Sequence, residues 1–190
     1  YNLTVIREVR IDADRLLFTY GNSNTNLYAQ VYNETTQTWG TPTLVRTAGG
    51  YHIAAVTGAN QALVCSATLS AFQAVVLTFS GTSITVGTAA TATNGNSITD
   101  FFSLFLIGSS WVVTYTASGP QCRAMTISGT TVTVAASETI ASGTNITFIQ
   151  PVAVSSTVFF IVSMISGSTI YVEGYSVSGT TITAGGITTV

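Results

Sequence analysis

The sequence contains no lysine. Five arginines face seven acidic residues, and charged residues make up 6% of the 190, where about 25% is usual. Nucleic-acid binding needs clustered Lys and Arg to displace counterions, so the composition argues against it. It argues equally against a basic helix lying on a membrane surface. Long apolar runs are also missing. Mean hydropathy is +0.49, yet stretches such as Leu104 to Ile107 and Val158 to Val162 are far shorter than the roughly 17 residues of a spanning helix. Disorder needs low hydrophobicity and high charge, and 46% of these residues are hydrophobic.

Catalytic and metal-binding side chains are as scarce as charge. His52 is the only histidine, so no zinc cluster is available, and there is no Gly-x-Ser-x-Gly nucleophile elbow. Asp12-Ala13-Asp14 begins like a Ca²⁺ loop but lacks the Gly and distal acid that such a loop requires. It reads as a turn. Cys65 and Cys122 fall in apolar stretches and read as free, buried thiols. No catalytic residue, no metal site and no cofactor is expected.

What the chain does have is Thr and Ser, 54 of 190, with Val, Ile, Tyr and Phe. These residues fit a pleated, half-buried surface, so the fold class is all-β. Thr and Ser wet the exposed faces without charge, leaving little electrostatic repulsion to oppose association. The chain opens Tyr1-Asn2-Leu3; either its start was removed or it belongs to something longer.

An internal repeat organises the whole sequence. Ser80-Gly81-Thr82-Ser83-Ile84-Thr85-Val86 recurs as Ser128-Gly129-Thr130-Thr131-Val132-Thr133-Val134 and as Ser178-Gly179-Thr180-Thr181-Ile182-Thr183-Ala184. Asn33 to Trp39 fills the same place in the first copy. A Gly follows in three copies (Gly40, Gly87 and Gly185), with Ala135 in the third. Upstream, Leu16 aligns without gaps over Leu63 and over Trp111. The copies run over approximately 1–47, 48–94, 95–142 and 143–190 as one domain. Each reads as four short strands broken by turn residues. In the second copy these are roughly Tyr51–Thr57, Gln61–Ala67, Phe72–Phe79 and Ser83–Thr88. The first strand is nearly all apolar, as in 101–107, and the last alternates, as in 131–134. A meander passing from buried to wet every 40 to 50 residues predicts a β-propeller-like array of four four-stranded antiparallel blades, alone or within a larger ring. A Thr-rich β-helix would need Thr-x-Thr at a short fixed period, and a sandwich or jelly roll would not need the repeat.

Apolar strand, Ser-Gly-Thr, then Thr-x-Thr-x-Gly, in a chain without Lys and rich in Thr, Ser and Ala, resembles the repeats of bacteriophage virion proteins of the tail-fibre, receptor-binding and capsid-decorating type. The resemblance implies a non-catalytic structural or host-attachment role on the particle surface. Its implied partners are other virion proteins, copies of the chain, or a host surface glycan. The alternative is a carbohydrate-binding lectin propeller outside a viral context.

Two groups of residues are candidate sites. Arg7, Glu8, Arg10, Asp12 and Arg15, with Asp14, put half the charges of the chain within fifteen residues. They occupy a strand whose counterparts are apolar. Buried unpaired charge is costly, so these groups are expected in solvent at a frayed terminus, at an interface to missing chain or a neighbouring subunit, or at a ligand site in the channel. The second group is Tyr20, Asn22, Asn24, Asn26 and Tyr28, an Asn-rich loop between two aromatics suited to a neutral sugar, or else a solvated hairpin turn.

Overall fold

A computed structural model describes residues 5–21, 26–47, 51–67, 71–93, 98–117, 119–136, 138–140, 146–165 and 169–189. Among them there are nineteen strands and no helix, in four antiparallel sheets that follow the four sequence copies. Blade 1 contains β1 (Ile6–Arg10), β2 (Arg15–Gly21), β3 (Leu27–Asn33), β4 (Thr38–Trp39) and β5 (Thr43–Arg46). Blade 2 contains β6 (Tyr51–Gly58), β7 (Gln61–Ala67), β8 (Ala71–Ser80), β9 (Ser83–Val86) and β10 (Ala90–Thr93). Blade 3 contains β11 (Asp100–Ile107), β12 (Ser110–Thr116), β13 (Pro120–Ser128), β14 (Thr131–Val134) and β15 (Glu138–Thr139). Blade 4 contains β16 (Ile146–Ala153), β17 (Val158–Ile165), β18 (Thr169–Ser178) and β19 (Thr181–Thr189).

The fold is all-β and propeller-like. First strands of consecutive blades lie beside one another, β1 by β6, β6 by β11 and β11 by β16, and each blade meanders outward from there. The fourth strand departs from the expected single segment. In blades 1 to 3 it is two pieces pairing with the same neighbour, β4 and β5 on β3, β9 and β10 on β8, β14 and β15 on β13. In blade 4 it is continuous but bulged between the partners of Glu173 and Tyr175. The break falls at the recurrent Gly or Ala. That residue completes the hairpin ladder, as where Gly87 N–H donates to Val76 O at 2.9 Å and Ala135 N–H to Ala124 O at 3.1 Å.

Side chains alternate across each sheet, so every blade has one face toward the next blade (forward) and one toward the previous blade (backward). Among the described residues the buried apolar side chains form three clusters, one at each junction. Leu17, Leu27, Ala29 and Val31 meet Ala62, Val64, Val75 and Leu77 between blades 1 and 2. Leu63, Phe72 and Val76 meet Val113, Tyr115 and Met125 between blades 2 and 3. Val112, Cys122 and Ala124 meet Phe159, Ile161 and Tyr175 between blades 3 and 4. The core thus lies in layers between sheets.

This pattern corrects the gapless alignment. Leu16, Trp111 and Phe159 lie on backward faces, but Leu63 lies on a forward one; the residue matching them in blade 2 is Ala62. Pairing explains the slip. Four residues separate the partners Ala67 and Phe72 of the β7–β8 connection, whereas three separate Thr116 and Pro120 of β12–β13. One extra residue shifts the register, and a shift of one moves every side chain to the opposite face. The forward positions that correspond are therefore Leu17, Leu63, Val112 and Phe160.

Candidate interaction surfaces

The charged cluster belongs to blade 1. The turn after β1 is an Asx turn, in which Asp12 Oδ1 accepts from Asp14 N–H at 3.0 Å and from Arg15 N–H at 2.9 Å. Arg15 grips Asp12 Oδ2 through Nε and Nη2 at 2.8 and 2.5 Å. The same guanidinium reaches blade 2, donating to Asn60 Oδ1 at 2.7 Å and to Gly81 O at 3.0 Å. Its hydrogen bonds hold the Asp12 carboxyl below the usual carboxylate range. Arg10 forms an exposed fork on Glu34, at 2.7 and 3.2 Å, which lowers the Glu34 pKa and raises that of Arg10. Arg7 and Glu8 are exposed on β1. Of the five charged candidates, Arg15 thus works at a junction between blades, Asp12 holds it there, and Arg10 is tied down within blade 1.

The aromatic candidates fall on the backward face of blade 1. Tyr20 and Tyr28 are cross-strand partners with ring centroids 5.9 Å apart, stacked at 20°. Asn26 is half-buried beside them, while Asn22 and Asn24 lie outside the described residues. The face is wider than the sequence suggested. Phe18 and Tyr32 flank Trp39, with centroids 5.1 and 4.7 Å from it. Trp39 itself is 54% exposed. At its centre Gln30 accepts from Tyr20 Oη at 3.4 Å and donates to Gly40 O at 2.8 Å. The period-2 spacing of Phe18 and Tyr20, and of Tyr28, Gln30 and Tyr32, carried this signal.

Gln30 has counterparts. The third-strand position that it occupies is Arg123 in blade 3 and Glu173 in blade 4, both 2% exposed. Arg123 donates to Tyr115 Oη at 2.8 Å and to Ala135 O at 2.6 Å within its blade. It also reaches Thr93 O of blade 2 at 3.2 Å and stacks 5.5 Å from the Phe72 ring centroid. Tyr175 donates its hydroxyl to Glu173. Three backward faces therefore carry one polar residue hydrogen-bonded to a tyrosine, and in blades 3 and 4 that pair is sealed under the preceding blade.

Other polar side chains are also used between blades. His52 is buried on the backward face of blade 2, with Nε2 3.1 Å from Thr19 O of blade 1. Arg46 donates to Ser66 Oγ at 3.1 Å across the same junction, and burial pushes its pKa down. Cys65 and Cys122 are buried free thiols, Cys65 3.8 Å from Met125 Sδ; burial raises the Cys65 pKa. No group of His, Cys, Asp and Glu able to hold a metal occurs among the described residues.

The forward face of blade 4 is the opposite end of the stack. Leu17, Leu63 and Val112 are 0% exposed, and Phe160 at the same position is 38% exposed. Thr19, Cys65 and Thr114 are 0% exposed two residues on, where blade 4 has the half-buried Val162. Met164, Ile170 and Val152 extend this face and are exposed.

No family model matches the chain, and no curated protein matches it. Among solved structures, the N-terminal domain of Nup159 is similar at 8% identity with a TM-score of 0.49. The match covers 94% of this chain and 50% of that one, so the chain spans about half the length of that structure.

Proposed function

We propose that the chain is a non-catalytic assembly module, of the virion structural or host-attachment kind that its repeats resemble. The observation that carries this reading is the use made of its few reactive side chains. His52, Arg46, Arg123 and Arg15 all hold one blade to the next, while the large exposed features are two sheet faces, aromatic on blade 1 and apolar on blade 4. A surface of Thr and Ser with little charge suits dense packing among neighbours. The test is mass spectrometry and antibody labelling of purified particles from the source. This reading expects the chain in stoichiometric amount on the particle surface; its absence from particles contradicts it.

The Tyr20–Tyr28 stack beside Gln30 favours a second reading, carbohydrate binding, because aromatic faces and amides together suit a neutral sugar. A glycan array separates sugar binding from pure scaffolding. Binding lost in both Tyr20→Ala and Tyr28→Ala supports the lectin, and an empty array leaves assembly.

A further inference from the structure

The geometry points to a specific occupant for both end faces: the forward face of blade 4 docks on the backward face of blade 1 of a second copy of this chain, head to tail. The inference deepens the assembly reading and rests on it. Each junction within the chain joins a forward face to a backward face, three times over. The two faces left over are one of each kind. At the forward position Leu17, Leu63 and Val112 are sealed, and Phe160 waits at 38% exposure. On the other side, Gln30 and Tyr20 repeat the third-strand to second-strand pair that Arg123 and Tyr115 bury when a blade covers them; at the Gln30 position blade 2 has Val75, and blade 4 has Glu173, bonded along its own strand to Tyr175.

A second device repeats in step. The Gly after the fourth-strand hairpin receives the turn of the next blade. A Cβ built on Gly40 would lie 2.2 Å from Thr82 O, and one on Gly87, besides meeting Val76 O of its own blade at 2.8 Å, would lie 3.2 Å from Thr130 O. Both threonines belong to a Ser-Gly-Thr turn one blade ahead. Gly185 holds that position in blade 4, exposed, and a Cβ there would meet only its own blade, at Gly174 O. In a head-to-tail pair the Asn33-to-Thr36 turn of the second copy falls opposite Gly185. Head-to-tail contacts close into a ring when the rotation permits, and two arcs of four blades give eight, within the range of propellers.

The test is sedimentation of the purified chain across concentration, with Phe160→Arg, Met164→Arg and Phe18→Arg. All three positions face solvent at least partly, and circular dichroism checks that each variant keeps its strand content. Wild type is expected to reach twice its 19.7 kDa mass. Each variant alone should associate more weakly by about tenfold or more, as for an anchor residue at a packed interface. Mixing Phe160→Arg with Phe18→Arg should restore part of the association, because one of the two junctions then has both native faces. Sensitivity to Phe160→Arg with indifference to Phe18→Arg means a symmetric blade 4 contact and overturns the proposal. So does a wild type that stays at single mass at high concentration, which assigns the faces to a different chain. Because mass alone is read, a chain that pairs in solution but is absent from particles fails the assembly reading and keeps this one.

Discussion

At the scale of single residues, Arg123 ties blade 3 to blade 2 from within the core. A guanidinium in an interior costs several kcal/mol unless its donors are used, and here they reach Tyr115 Oη, Ala135 O and Thr93 O. Arg123→Ala leaves those acceptors without their donor and opens a cavity beneath Phe72, so chemical denaturation should show a loss of about 3 kcal/mol or more. Arg123→Lys should recover only part of it, since an ammonium lacks the planar fork that serves separated acceptors. Asp12 supplies the pH dependence. Its folded pKa lies below the ordinary value, so its contribution is present above that value and is lost as pH falls through the lower folded one. Denaturant midpoints should therefore drop in acid for wild type, with a smaller drop for Asp12→Asn. An unchanged pH slope in the variant would remove Asp12 from the account.

At the scale of elements, the repeat works because its turns and breaks do two jobs. Gly81, Gly129 and Gly179 adopt φ near +60° and close tight hairpins that a Cβ would strain. The glycine following the hairpin clears space for the next blade's turn. Gly40→Ala should cost about 2 kcal/mol or more, because the Cβ meets backbone rather than a movable side chain. Gly58→Ala meets nothing and serves as the control in the same melts. Much of this was legible beforehand. The Ser-Gly-Thr recurrence located the hairpins, and the alternation in Thr131 to Val134 gave a strand with one wet face. The gapless alignment puts the second strand of blade 2 one residue out of step because the residue that shifts it sits in a connection with no signal of its own. The split of each fourth strand was also hidden, since Thr-Ala-Thr reads as strand or linker alike. At the candidate sites, Tyr20 and Tyr28 stand out in the sequence; Phe18 and Tyr32 share their face by the period-2 spacing of β2 and β3, whereas only pairing brings Trp39 beside them. The charges are legible there too but not their use, because the reach of Arg15 to Asn60 spans two repeats.

At the scale of the whole molecule, stability resides in three layers between sheets, and two faces of the same construction remain at the ends. The two methionines report on these places directly. Met125 is fully buried between blades 2 and 3, and Met164 is 37% exposed on the forward face of blade 4. Oxidation to the sulfoxide follows access. The most direct measurement is oxidative footprinting of the folded chain over a dilution series, read by mass spectrometry. The account predicts that Met164 and Trp39 react in dilute solution and become protected together as concentration rises, while Met125 stays protected throughout. Equal reactivity of Met125 and Met164, or protection of Met164 at every dilution, would contradict an open stack with complementary ends.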